Sequence, residues 1–224
     1  MTDLQEDNKF EEFEHLENFS DLNTDNLIFE VWVKPKKVFQ YLFKFDRLKY
    51  VHVLLVVSAI VAATERVLSK NTAFDSYGFG YLIGYILGGA IVTWLMYWVS
   101  AWFLRFFGAA FFNGKASNED FRIVIAWSNI PLITSLLTTL LLILFYGNNA
   151  ASGYYLIENE TERIVFIVLG CIDVILAIWS AVISVIGIMH IQQFGVWKAI
   201  GNIFLPFIIL VAIFALFFLG INFI

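Results

Sequence analysis

Apolar residues fall into long blocks along this chain, parted by short polar stretches, and the lengths of the blocks set the architecture. A membrane-spanning helix needs about 20 mostly apolar residues. Four blocks reach that length, Phe79 to Phe103, Ile123 to Tyr146, Ile164 to Met189 and Ile203 to Ile224, and a fifth at about 50–64 is short. The pattern predicts an all-α polytopic membrane protein, a five-helix transmembrane bundle with spans at about 50–64, 79–103, 123–146, 164–189 and 203–224. Composition agrees: 60% of the 224 residues are hydrophobic, 15% are charged and the mean hydropathy is +0.77, which is too apolar for a soluble domain with a charged surface.

The short first block sits in the range where a re-entrant segment competes with a span, so the charges decide. If it spans, Lys44, Arg47, Lys49, Arg105, Lys115, Arg122 and Lys198 lie on one side, against Arg66, Lys70 and Arg163 on the other. Without that span the split narrows to six against four. The positive-inside rule therefore favours five spans, the N-terminus inside and the C-terminus outside.

The net charge of −5 hides a division, because ten of the nineteen acids lie in residues 1–30 beside a single base, Lys9. Residues 1–30 read as an acidic, disordered cytoplasmic tail, or as a docking motif for a partner or for the chain's own basic segment, with Phe10, Phe13, Leu16 and Phe19 as its apolar points. Residues 31–49 differ. Pro35 suits a first helical turn; Lys37, Lys44 and Arg47 recur at helical spacing, with Val38, Leu42 and Phe45 on another face. The expectation is a basic amphipathic helix lying on the inner leaflet, its lysines and arginine turned to lipid headgroups. Residues 50–224 form the membrane domain.

Small residues mark the packing seams. Gly80, Gly84 and Gly88 repeat every four residues, a doubled GxxxG that serves packing within the chain or a homodimer through the second span. In the fourth span Gly170, Asp173, Ala177, Ser180, Ser184 and Gly187 follow a heptad rhythm. That rhythm turns Asp173, a carboxylic acid that costs roughly 2.5 to 3.5 kcal/mol at a helix centre, into the bundle. Counting about 1.5 Å per residue inward from the outer ends brings Ser135 and Thr138 of the third span to its depth. No Lys or Arg is expected there, so Asp173 reads first as a neutral acid gluing helices through Ser135 or Thr138, and second as a proton- or cation-linked site. Cys171, alone and within a span, reads as packing and excludes an intrachain disulfide.

Gly114 is expected to end one helix, and Ser117 with Asp120 to open the next through a capping box. Pro131 and Pro206 each fall in a span, where they should kink it and free carbonyls near Asn129 and Asn202. In four places the chain resembles the Yip1 family: Trp32, Pro35 and Phe39 before the first span, Gly114 and Ser117 in the second loop, Pro131, and Trp197, Lys198 and Ala199 leading to Pro206. The likeness covers roughly residues 31 to 224. It implies a compact five-helix membrane domain without established catalysis. Eukaryotic relatives bind small GTPases of the Rab type in vesicle traffic, but the Asp-Leu-Tyr-Gly-Pro-like stretch of their N-terminal region is absent here.

No HExxH, GxSxG, P-loop or paired-carboxylate motif occurs, and His15, His52 and His190 stand apart. No catalysis, cofactor, metal or nucleic-acid partner is expected. The leading reading is a non-enzymatic membrane scaffold or adaptor whose partners are the lipid bilayer and a cytoplasmic protein met by residues 1–30. A small transporter or channel using Asp173 stands second. The expected location is the cell membrane of a bacterium, or the Golgi or endoplasmic reticulum membrane in a eukaryote.

Overall fold

The computed structural model describes residues 19, 22, 25–68, 79–146 and 159–222. Among these residues it is wholly helical: α1 (Leu27–Glu30), α2 (Pro35–Phe45), α3 (Val51–Leu68), α4 (Phe79–Phe112), α5 (Asn118–Ser128), α6 (Ile130–Tyr146), α7 (Glu160–Gln192) and α8 (Val196–Asn222). Three stretches are long and apolar enough to cross a membrane, Gly80–Phe112, Asn118–Tyr146 and Glu160–Gln192, and Val196–Ile209 is a shorter apolar one. The expected Phe10, Phe13 and Leu16 of the tail lie outside the described residues.

The chain divides into two units, Met1–Arg47 and Leu48–Ile224. In the first, Pro35 opens α2, where its missing N–H costs nothing. Phe19 of the acidic segment meets α2, edge-on to Tyr41 and Phe45, with Lys44 Nζ 5.7 Å from its ring centre. Val38, Phe39 and Leu42 are fully buried. This departs from a helix that sinks its apolar face among acyl chains, because protein already covers that face. Phe45, expected on the buried side, is 60% exposed, since it stands at the last turn. Lys44 and Arg47 remain exposed and Lys37 half-buried; Arg47 packs over the Phe43 ring at 5.2 Å.

In the second unit α3 pairs with α4, α4 with α8, α8 with α7, α7 with α6, and α6 with α3, which closes a five-helix ring. Inside one end of the ring lies α5, packed on α3, α4 and α7. Its Phe121, Ile123, Ala126 and Trp127 are fully buried, so the polar-looking start of the third span is in fact a plug. Ser117 caps it with the expected box: Asp120 N–H donates to Ser117 Oγ at 3.2 Å, and Ser117 N–H to Asp120 Oδ2 at 2.8 Å.

The helices run past the apolar blocks that announce them. α4 continues to Phe112 rather than stopping at Phe103, and α8 begins at Val196, so Trp197, Lys198 and Ala199 form its first turn instead of a lead-in. Arg105 in α4 and Lys198 in α8 interrupt the apolar runs, but a basic residue does not oppose a helix. α4 ends on Asn113, whose φ of 58° supplies the left-handed turn expected of Gly114. α7 ends the same way on Gln193, φ 55°. Pro131 sits just after a break at Asn129 that separates α5 from α6, whereas Pro206 lies within an unbroken α8.

Two packing expectations change. Gly80, Gly84 and Gly88 are exposed, with no described atom near the place of a Cβ. At about 100° per residue they lie roughly opposite Ala90, Thr93 and Ala101, the buried face of α4. The close approach falls instead to Gly89, where a Cβ would stand 3.2 Å from that of Ala63. Ala59, Ala63 and Ala90 are the buried heart of this seam, flanked by Ile86, Trp94 and Tyr97. Small residues drive such contacts in lipid because they let backbones approach. On α7, Ser180 and Gly187 are buried and Ser184 half-buried, but Gly170 and Ala177 are exposed. The buried face, centred on Leu169, Ser180, Ile183 and Gly187, lies roughly 80 to 100° around the helix from Gly170 and Ala177. Cys171 falls on the far side and is exposed, so it does not pack within the chain.

Candidate functional site

Asp173 is half-buried on α7, and Thr138 Oγ1 of α6 donates a hydrogen bond to its Oδ1. Thr138 Oγ1 also lies 2.6 Å from the Ser135 carbonyl, one turn back on α6. Ser135 itself is buried and reaches a third helix: its Oγ donates to Glu65 Oε1 of α3 at 2.5 Å and approaches the Leu132 carbonyl at 2.6 Å. A continuous polar line thus joins α3, α6 and α7 as Glu65, Ser135, Thr138 and Asp173. Each hydroxyl has one proton and two acceptors in reach, so the line is short of donors and holds its proton positions in competition.

Glu65 is the residue that sequence reasoning missed. The first apolar block ends where Thr64, Glu65 and Arg66 begin, and a helix carried on to the 18 residues that α3 has would have brought the acid inside. Arg66 moves with it. The charge count placed it outside, yet its Nη1 donates to Thr93 Oγ1 at 3.0 Å. Thr93 lies 13 residues into the span that begins at Gly80, about 20 Å along the helix. The expectation of no basic side chain near the acid is therefore corrected: a guanidinium stands in the same part of the bundle. Thr93 passes its own proton to the Gly89 carbonyl at 2.8 Å, which completes the link from α3 to α4.

Closer to the plug, a second polar layer ties the broken third span. Asn129 Nδ2 donates to Ser58 Oγ of α3 at 3.4 Å, and Ser58 Oγ donates in turn to the Leu55 carbonyl at 3.2 Å. Ser180 Oγ of α7 donates to the Ser128 carbonyl at 2.7 Å. Asn129, expected to serve a carbonyl freed by Pro131, thus spends its amide on another helix, and Ser180 serves the break instead.

At the loop end the chemistry changes from hydroxyls to amides. Gln192 closes α7 with its Oε1 accepting from Ala116 N–H at 3.1 Å, and the Gly114 N–H bonds the Gly108 carbonyl at 2.9 Å. A Cβ on Gly114 would overlap the Gln192 amide, and one on Gly108 would come within 2.5 Å of Gln192 Nε2 and 2.9 Å of Asn202 Oδ1. Gly114 therefore matters for close approach, not for turning the chain. Asn202 of α8 is fully buried, and neither atom of its amide has a hydrogen-bond partner among the described residues; Gln192 Nε2 is in the same position. Pro206 further removes the helical donor for the Asn202 carbonyl.

The motif residues gather partly around this knot. Gly114 and Ser117 form the α4–α5 loop, Ala199 is fully buried on the first turn of α8, and Pro131 is buried where α6 starts. Trp197 and Lys198 are exposed, Trp197 by 84%. Pro35 and Phe39 are buried and Trp32 half-buried in the first unit. Asn159, the first residue of an Asn-x-Thr pattern, caps α7 with its Oδ1 accepting from Thr161 N–H at 2.9 Å. Among the described residues no group of three His, Cys, Asp or Glu could hold a metal.

The chemistry available to these sites is thus interhelical hydrogen bonding and proton placement within a multi-pass membrane domain. No curated protein and no solved structure matches the chain. The sequence model of the Yip1 domain matches residues 29–219, which take in every helix but the start of α1 and the end of α8. With most of its length covered, the chain belongs to the Yip1 domain family.

Proposed function

We propose that this protein is a non-enzymatic membrane scaffold or adaptor that crosses the bilayer five times, N-terminus inside, in the cell membrane of a bacterium. In a eukaryote the corresponding place is the Golgi or endoplasmic reticulum. The observation that carries this reading is how the bundle uses its polar groups. Glu65, Thr93, Ser135, Thr138, Asp173 and Ser180 are engaged in bonds that tie one helix to another. Such bonds are retained in membranes as glue between helices. The contact of Phe19 with α2 adds a way for the acidic segment to meet basic chain or exchange it for a partner. Removal of residues 1–18 should change the set of proteins cross-linked to the protein in cells while leaving its membrane insertion intact. An unchanged cross-linked set would argue against the adaptor role.

A second reading, a small proton- or cation-linked transporter, is favoured by one observation: Glu65 gives Asp173 a second carboxyl across two hydroxyls, an arrangement of the kind found in intramembrane proton relays. Flux across proteoliposomes, compared for the wild type, Asp173→Asn and Glu65→Gln, separates the two. Pure glue gives no flux in any of them, whereas transport gives wild-type flux that both substitutions abolish.

A further inference from the structure

On the outer surface of α4, near its loop end, lies an open groove of about 440 Å³ whose described lining is Trp102, Arg105, Phe106, Ala109 and Ala110. Trp102 and Phe106 stack at 5.7 Å and form a wall, and the two alanines leave room beside them. At about 100° per residue, Trp98, Trp102, Arg105 and Ala109 share one face of the helix. Arg105 is exposed there. On the neighbouring helix, the Arg122 guanidinium lies 3.9 Å from the ring centre of Trp98, a close cation–π contact. Neither guanidinium has a carboxylate partner among the described residues.

Depth identifies what the groove would meet. From Gly80 to Trp102 the helix rises about 33 Å, which matches a hydrocarbon core of about 30 Å. Trp98 and Trp102 then sit at the boundary, as interfacial tryptophans do. Arg105 follows about 4.5 Å beyond Trp102, at the level of the lipid phosphates. The Arg122 guanidinium, held over Trp98, stands on the core side of Arg105, since Trp98 is about 6 Å nearer the core than Trp102. Of the described lining only Trp102 lies on the core side of Arg105, while Phe106, Ala109 and Ala110 lie at and beyond its level. The groove therefore has the depth and the charge for an anionic headgroup whose acyl chain descends past Trp102.

We propose that this groove is a binding site for one anionic phospholipid, whose headgroup sits beside Phe106, Ala109 and Ala110 with its phosphate held by Arg105, and whose chain descends past Trp102 toward the Arg122–Trp98 pair. The site does not depend on which side of the membrane this end faces, nor on the scaffold reading. Basic pockets at helix ends bind anionic headgroups in this manner.

The full-length protein in vesicles of mixed phosphatidylglycerol and phosphatidylcholine tests it, with brominated phosphatidylglycerol or brominated phosphatidylcholine as the tryptophan quencher. The wild type should prefer phosphatidylglycerol about five-fold, the preference worth one basic residue at the surface. Arg105→Gln should bring the ratio to about one and Arg105→Lys should keep part of it, while Lys115→Gln, in the exposed loop at the same end, should leave it unchanged. No wild-type preference, a preference indifferent to Arg105→Gln, or an equal loss in Lys115→Gln would overturn the site in favour of diffuse surface charge. Relief of quenching by millimolar inorganic phosphate would overturn it in favour of a free anion.

Discussion

The hydroxyl seam in the middle of the bundle and the amide knot at its loop end both join helices through buried polar groups, yet they do so by opposite means. In the seam, Glu65, Ser135, Thr138 and Asp173 reach across ordinary helix spacing with side chains that find acceptors in excess of donors. In the knot, Gly108 and Gly114 remove side chains so that Gln192 and Asn202 can press against backbone. The seam depends on chemistry and the knot on volume. A seam residue should therefore tolerate an isostere that keeps its hydrogen bonds. A knot residue should fail on a single added methyl.

The sharpest way to break that contrast is Gly114→Ala. Its methyl displaces the Gln192 amide from the Ala116 N–H, and overpacking of this kind costs about 1 to 3 kcal/mol. The unfolding midpoint in detergent should drop accordingly, and adding Gln192→Ala should restore part of the loss; a double variant worse than the single one would mean that the knot is not limited by volume. In the seam, Thr138→Val keeps shape and removes the donor to Asp173. Interhelical bonds in membranes average about 0.6 kcal/mol and reach about 1.7, so its midpoint should fall less than that of Gly114→Ala. Were Thr138→Val the more damaging change, the seam and not the knot would be the stricter contact. The smallest effect belongs to Gly84→Leu on the exposed face of α4. Unfolding of the monomer should shift by less than about 0.5 kcal/mol. A larger loss would place that face against protein, and a fall in energy transfer between labelled copies in vesicles would point to the homodimer that the glycine spacing suggests.

Asp173 and Thr138 were legible because depth is a matter of counting: two antiparallel spans read inward from their outer ends bring an acid and a hydroxyl to one level. Glu65 was not, for hydropathy treats a charged residue as the end of a span while a helix follows backbone propensity and tertiary support. The glycine repeat showed a similar limit. Gly80, Gly84 and Gly88 make a good packing stripe, but which face of α4 meets α3 was decided by Ala59 and Ala63, whose smallness is ordinary in any apolar block. Gln192 carried no signal beyond being an amide near a helix end, and Asn202 stood out only for its place beside the carbonyls that Pro206 frees. Their meeting at Gly108 is a product of the ring closing, and nothing local encodes it.

The length of α4 has a mechanical consequence. Its 34 residues extend about 51 Å, and even a tilt of 40°, the upper end of what spanning helices adopt, projects about 39 Å onto the bilayer normal, against a core of about 30 Å. Tilt cannot absorb the difference, so the helix must stand proud of the hydrocarbon by at least about 9 Å. With Phe103, Phe107 and Phe111 stacked in succession along its last turns, the emerging end is a stiff post. Because Gly108 and Gly114 lie against Gln192 of α7, and Gly108 also against Asn202 of α8, anything that grips the 113–117 loop would load three helices at once.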